Sequence, residues 1–270
     1  MNKSEQLINE DSQYFAKPGR IKYYPLAISH GYGATLVDVE GNTYIDLLSS
    51  ASSQNVGHAP EQVTEAIKAQ VDQFIHYTPA YMYHEPLVKL AKKLCEISPG
   101  QYEKRVLFGL SGSDANDGII KLARAYTGRP YIISFVNAYH GSTYGSLSMS
   151  AISLNMRKYY GPMLPGFYHI PFPDNYRGMF GSNQPNTVSE YLAPLKEMFE
   201  KYVPAEEVAC IMIETIQGDG GLLEPVDGYF EALQDLCKEH GILLAVDDIQ
   251  QGLGRTGSCL LYTSDAADEE

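Results

Sequence analysis

Residues 242–257 read ILLAVDDIQQGLGRTG, a short apolar run that ends abruptly in two adjacent acids, Asp247 and Asp248. ILLAV has the length and composition of a strand buried in a sheet. Carboxylates at the end of such a strand are costly unless something offsets their charge. One of them can hold a protonated heterocyclic nitrogen, and it can equally stand as a solvated acid or a helix cap. GLGRTG at 252–257 also satisfies GxGxxG, the glycine pattern that seats a dinucleotide pyrophosphate. That pattern should follow its strand directly and open a helix, with an acid about 20 residues later. Here Asp247 to Gln251 separate the strand from the first glycine, which weakens the dinucleotide reading.

Working outward, RVLFGL at 105–110, YIISF at 131–135 and VACIMIE at 208–214 are further apolar runs of strand length. Helical patterns at about 114–126 and 229–240 separate them. Strands alternating with helices imply an α/β fold with a mostly parallel sheet covered on both faces. Ahead of it, ATLVDVEGNTYID at 34–46 alternates around Glu40-Gly41-Asn42, which predicts a hairpin. Val63, Ala66, Ile67 and Val71 recur at helical spacing after Glu61, as do Leu87, Leu90, Ala91 and Leu94 after Pro86. PFPDNYRGMFGSNQPN at 171–186 is rich in Pro, Gly and Asn and reads as a loop on the surface or over a cleft.

Ligands of such sheets sit beyond the carboxyl ends of the strands, so the residues after each run matter most. After RVLFGL comes SGSDAND, where Gly112 permits close backbone approach and Ser113 can cap the next helix and offer its hydroxyl and amides to a phosphate. The plain alternative is an ordinary helix cap. After YIISF, Tyr139 and His140 offer flat rings beside Gly141, for packing or for stacking on a heterocycle. After VACIMIE, the glycines of IQGDGG suggest a tight loop exposing Asp219, or a plain turn.

The chain has 270 residues, 44% of them hydrophobic, enough for a sizeable core in one large domain or a large and a small one. Its formal charge of −13 argues against nucleic acid or an acidic membrane as partner, since both demand clustered Lys and Arg. No apolar run is long enough to span a bilayer, and MNKSEQLINEDSQYFAK lacks the apolar stretch of a signal peptide, so a cytoplasmic protein is expected. Cys95, Cys210, Cys237 and Cys259 form no CxxC pair, which predicts free thiols and no metal site.

Taken in order, GATLVDVEGNTYIDLL, SGSDAND, AYHGS, IETIQGDGG and VDDIQQGLGRTG resemble the class III aminotransferases, pyridoxal-phosphate enzymes of the type I transferase fold. The resemblance runs from about Tyr14 to Gly257. It implies that Gly112 and Ser113 bind the cofactor phosphate, that Tyr139 and His140 belong to the cofactor site with Tyr139 on one face of the ring, and that Ile249 covers the other. It further implies that Asp247 pairs with the pyridine nitrogen, that Gln250 lies near the ring hydroxyl, and that Glu214 and Asp219 organise the site and a substrate-binding arginine. Asp248 stands where the family usually has Glu, and Thr215 where it usually has Pro.

Substrate is marked by a further departure. In 4-aminobutyrate aminotransferases an arginine follows the YHG motif and grips a carboxylate, whereas here the position is Ser142. A short hydroxyl cannot replace a bidentate cation. IHYTPAYMYH and AYHGSTYGS instead resemble the amino-acid racemases of the same family, of the isoleucine 2-epimerase kind. Tyr77, Tyr81 and Tyr83 then suit either an apolar side-chain pocket or packing in a dimer interface. The resemblance implies an amino acid and a 2-oxo acid as small-molecule partners, and a homodimer.

Family members carry an essential lysine some tens of residues after the position of Asp247, and residues 248–270 contain none. CLLYTSDAADE, from Cys259 to Glu269, resembles the in-frame translation of a transposase adapter used to prepare sequencing libraries. The expected organisation is therefore a small-domain segment with the hairpin at 1–57, an incomplete large cofactor-binding domain at 58–258 and a foreign tail at 259–270. A chain without the lysine is expected to be inactive.

Overall fold

A computed structural model of the protein describes residues 2–16, 22–182, 184 and 186–257. The tail expected to be foreign, with Cys259, lies outside the described residues. The chain forms two compact units, Met1–Leu87 and Val88–Glu270.

In the first unit, helix α1 (Lys3–Tyr14) opens with a capping box in which Asn2 and Glu5 satisfy each other's backbone amides. Strands β1 (Ile28–Tyr32), β2 (Thr35–Asp38) and β3 (Thr43–Ile45) form an antiparallel sheet in that order. The hairpin expected at 34–46 is β2 and β3, with Leu36 opposite Tyr44. Its turn is held by Asp38, which accepts from the amides of Glu40 and Asn42, from Asn42 Nδ2 and from the Tyr44 hydroxyl. Burial pushes the Asp38 carboxyl up, but these donors outweigh it and hold the group below its ordinary value. Strand β1, ISHGY, has no apolar alternation, so nothing in its sequence announced it.

Helix α2 (Glu61–Gln73) and helix α3 (Glu85–Ile97), which spans the division between the units, occupy the expected stretches. Neither buries a residue fully; Val63, Ile67 and Val71, the apolar stripe of α2, are each about half exposed or more.

The second unit is built on a parallel sheet ordered β5-β4-β6-β7, from β4 (Tyr131–Phe135), β5 (Phe167–Ile170), β6 (Val208–Glu214) and β7 (Leu243–Asp247). Every residue of β6 is buried, as a central strand covered on both faces requires. Alternation sorts the side chains. Ile132, Cys210 and Met212 pack on one face with Ile120 and Ala123 of helix α4 (Gly112–Thr127) and Met149 of helix α5 (Tyr144–Met149). Ile133, Phe135, Ile211 and Ile213 pack on the other with Leu195 and Met198 of helix α6 (Val188–Lys201) and Leu233 and Leu236 of helix α7 (Tyr229–His240). Burial pushes the thiols of Cys210 and Cys237 up to about 12, so both behave as small apolar groups.

RVLFGL corrects the sequence reading. Residues 105–110 adopt no strand, and Leu107, Phe108 and Leu110 are 77%, 41% and 99% exposed. An apolar run becomes a strand only when a neighbour completes its ladder, and no described residue pairs with this one. Besides β1, the elements that escaped the sequence reading are α1, α6, β5, whose FYHI is short, and α5, whose serines disguise a buried helix. Ser148 and Ser150 are buried because their hydroxyls donate to the carbonyls of Tyr144 and Ser146, at 2.6 and 2.8 Å.

Arg129 joins the sheet to α7. One guanidinium nitrogen, Nη1, donates to the carbonyls of Val208, His240 and Gly241 at 3.0, 3.1 and 2.9 Å, placing a cation at the C-terminus of α7. Arg129→Ala leaves the helix end without this cap, and a loss of about 1.5–3 kcal/mol is expected for charged hydrogen bonds of this kind. The urea midpoint reads it, and an unchanged midpoint would show that water satisfies the carbonyls equally well.

Candidate active site

Strands β6 and β7 end level with each other, Glu214 opposite Asp247 in the register, so two carboxylates emerge side by side at the carboxyl edge of the sheet. Both are 5% exposed. Asp247 Oδ2 accepts from Asn116 Nδ2 at 2.9 Å and from His140 Nδ1 at 2.8 Å. Its other oxygen, Oδ1, accepts from the Ile249 amide at 3.1 Å. His140 is 2% exposed, so its ring backs the carboxylate and does not present a face to a ligand. Its remaining nitrogen, Nε2, is buried without a hydrogen-bond partner among the described residues. Asn116, 1% exposed, was not anticipated as a site residue. Its only signal was its place within SGSDAND, on the inward face of α4.

The head of α4 lies against this carboxylate. Ser111, not Ser113, is the helix cap: its side chain accepts from the Asp114 amide at 3.2 Å. The sequence reading erred by two residues because SGS offers two serines of equal capping propensity. Freed from capping, Ser113 Oγ accepts from the Ser142 amide at 3.0 Å, which joins α4 to the loop after β4. Gly112 and Ser113 lie in the first turn, whose amides lack intrahelical acceptors and carry the positive end of the helix dipole. A Cβ added at Gly112 would lie 2.8 Å from Ile249 Cδ1, so the chain after Asp247 packs directly on this helix head. The Tyr139 hydroxyl lies 3.1 Å from Ser142 Oγ, and the Ser142 side chain is exposed.

Glu214 fixes the two neighbouring loops, accepting from the amides of Tyr139 and Gly218 at 2.9 Å each. Burial raises its pKa, opposed by these amides and by His140 and reinforced by the charge of Asp247. Thr215 Oγ1 donates to Asp248 Oδ1 at 2.9 Å, so the two departures from the family pattern bond to each other. The Gln250 side chain lies on Gly218, where an added Cβ would fall 1.4 Å from its Oε1. Asp219 is exposed at the tip of its loop. The structure thus brings together Gly112, Ser113, Tyr139, His140, Ser142, Glu214, Asp247, Ile249 and Gln250 through shared contacts, with Asp219 at their margin. Tyr77 belongs to the first unit and is 45% exposed.

Residues 248–257 form turns, with Leu253, Gly254 and Gly257 at positive φ, and no helix opens within them. GLGRTG therefore lacks the strand–turn–helix geometry that a dinucleotide needs. The loop expected over a cleft contributes Phe172 and Arg177 to a cavity of about 240 Å³ that Val136, Asn137 and Leu223 also line, beyond the carboxyl ends of β4 and β5.

A parallel sheet whose carboxyl edge carries the N-terminus of a helix and a buried carboxylate beside it places the chain among the open α/β folds, whose ligands sit at that edge. The class-III aminotransferase profile matches residues 16–268, and the chain belongs to that family. It is 53% identical over 257 residues to the isoleucine 2-epimerase of Lentilactobacillus buchneri, covering 95% of this chain and 57% of that protein. It is 45% identical over 256 residues to the leucine/methionine racemase of Thermococcus litoralis, covering 94% of this chain and 57% of that one. The crystal structure of taurine:2-oxoglutarate aminotransferase from Bifidobacterium kashiwanohense, in complex with PLP and glutamate, superimposes with a TM-score of 0.86 at 31% identity, over 96% of this chain and 58% of that one. The chain therefore spans under two thirds of the length of these relatives.

Proposed function

We propose that the enzyme to which this chain belongs binds pyridoxal phosphate at the carboxyl edge of the β6–β7 strands and uses it to labilise bonds at the α-carbon of amino acids. The carrying observation is the buried Asp247 carboxylate: Oδ2 takes two side-chain donors, while Oδ1 takes one backbone amide and keeps a lone pair for a ring N–H. The local geometry fits the cofactor on a second count, because the open first turn of α4 meets the chain after Asp247 at Gly112, where an added Cβ would lie 2.8 Å from Ile249 Cδ1 and push that side chain aside. Gly112 and Ser113 would hold the phosphate, Asp247 the ring nitrogen, Tyr139 and Ile249 the two ring faces, and Gln250 the ring hydroxyl. When bound, the cofactor supplies an electron sink for the pair left at the α-carbon.

The residues of this chain do the positioning. Asp247 keeps the ring nitrogen protonated, and His140 and Asn116 support its charge from beneath. Glu214 sets the Tyr139 loop against the Gly218 loop and thereby the height of the aromatic wall. The lysine that completes proton transfer in the family lies beyond this sequence in our reading, so the 270-residue chain alone is proposed to be inactive. A homodimer is proposed for the complete enzyme, with residues 1–57 in its small domain and 58–258 in its large one. A cytoplasmic location is proposed; none of the described helices is long and apolar enough to cross a membrane.

Amino-group transfer from an amino acid to a 2-oxo acid is the family's reaction. Inversion at the α-carbon is a second reading with specific support: the racemase relatives at 53% and 45% identity, and Ser142 where a carboxylate-gripping arginine would stand. Incubating the complete enzyme, pyridoxal phosphate and L-isoleucine without a 2-oxo acid separates the two. A D-configured α-carbon in the recovered amino acid supports inversion, and stoichiometric keto acid supports transfer. Neither product, over a panel of amino acids, would sink the proposed function.

A further inference from the structure

We infer that Asn116 is a positioning residue that locks the Asp247 carboxylate in one orientation and ties it to the anion-binding head of α4. Its side-chain nitrogen has two hydrogens, and both are committed: one to the His140 carbonyl at 2.7 Å, the other to Asp247 Oδ2 at 2.9 Å. One planar amide thus fixes the backbone of His140 and the carboxylate that the His140 ring also contacts at 2.8 Å. All three residues are at most 5% exposed, so water cannot take over these bonds.

The placement of Asn116 on α4 gives the tie its purpose. It follows Ser113 by one helical turn and shares its face, so the helix backbone makes a rigid spacer between the first-turn amides and Asp247. The same bond decides which carboxylate oxygen is left for a ligand. Oδ2 is occupied by Asn116 and His140, whereas Oδ1, among the described residues, takes only the Ile249 amide and keeps its second lone pair. Without Asn116 the carboxylate could rotate toward His140 alone, and the two oxygens would exchange roles. The ligand side of this inference rests on the pyridoxal phosphate reading; the locking of Asp247 does not.

Asn116→Asp keeps the shape and replaces the donor nitrogen by an acceptor facing Asp247. Asn116→Ala removes the group without adding charge, and is carried alongside so that failure of one variant to fold leaves the other to decide. In the cofactor-free protein, exchange of the Ile249 amide, which donates to Asp247 Oδ1, is expected to quicken by about 10-fold or more in both variants. Unchanged exchange would overturn the inference whether or not the protein binds pyridoxal phosphate. A cycle with Asp247→Ala, read as the dissociation constant of pyridoxal phosphate by absorbance titration, tests the ligand side. Asn116→Ala is expected to weaken binding about 10-fold with Asp247 present and less than about 2-fold in its absence. Equal weakening in both backgrounds would reduce Asn116 to a structural role. No binding by the unsubstituted protein would instead count against the cofactor reading, and the exchange measurement would still decide for or against the lock.

Discussion

Asp247→Ala is expected to lose pyridoxal phosphate affinity by about 100-fold or more, because breaking a buried ion pair by removing one partner costs about 3–5 kcal/mol. The proposed ring nitrogen would lose its counter-charge in a region sealed by Asn116 and His140, where solvent cannot replace it. Turnover by the complete enzyme should fall further than affinity, since an unprotonated ring is a poor electron sink. The apoprotein should suffer as well: His140 Nδ1 and Asn116 Nδ2 would be buried donors without their acceptor, each costing about 1–3 kcal/mol. Asp247→Asn separates these effects. An amide oxygen in the place of Oδ2 can still accept both bonds while its NH2 faces the Ile249 amide, so the melting temperature should recover in part while turnover stays low. Absorbance titration, a thermal melt and a turnover assay on the three proteins read this. Wild-type turnover in Asp247→Asn would remove Asp247 from the site.

Why some of this site was legible and some was not follows from what each residue advertises. YIISF, VACIMIE and ILLAV are strands within a residue of their apolar limits, because a parallel strand packed between helices is apolar on both faces and ends where polar chemistry begins. The junctions after them could therefore be found by position alone. RVLFGL obeys the same composition rule and is nevertheless no strand, since composition says what tolerates burial but not whether a neighbouring strand is there to pair. Ser113 was placed in the right loop and given the wrong bond, because the register of a helix cap depends on backbone geometry that two equivalent serines do not distinguish. His140 reads in sequence as a ring available for stacking; only its burial assigns it to the Asp247 carboxylate. Asn116 and Asp247 are far apart in the chain, and no local pattern marks a hydrogen bond between them.

Gly141→Ala is expected to be the most destabilising single methyl addition at this site, with a loss of about 2–6 kcal/mol from backbone strain and overpacking together. Gly141 has φ +132°, a conformation that residues with a Cβ rarely adopt. Its added Cβ would lie 2.3 Å from Ser113 Oγ, 2.6 Å from Ser146 Oγ and 2.8 Å from the Ser113 Cα. The hydroxyls could rotate away, but the Ser113 backbone sits at the head of α4 and cannot retreat without dragging the helix. Gly218 shows why proximity alone does not decide the outcome. Its Cβ would fall even closer to a neighbour, 1.4 Å from Gln250 Oε1, yet that atom is the far end of a flexible side chain and Gly218 has no positive φ. Gly218→Ala should therefore cost less than Gly141→Ala despite the shorter contact, with Gln250 displaced. Denaturant midpoints of the two variants test this ordering. Combining Gly141→Ala with Ser113→Gly then divides the larger loss: it removes the Ser113 hydroxyl and leaves its Cα and the strained φ. Less than half the loss should be recovered if backbone dominates, and full recovery would show that the Ser113 hydroxyl was the whole obstacle.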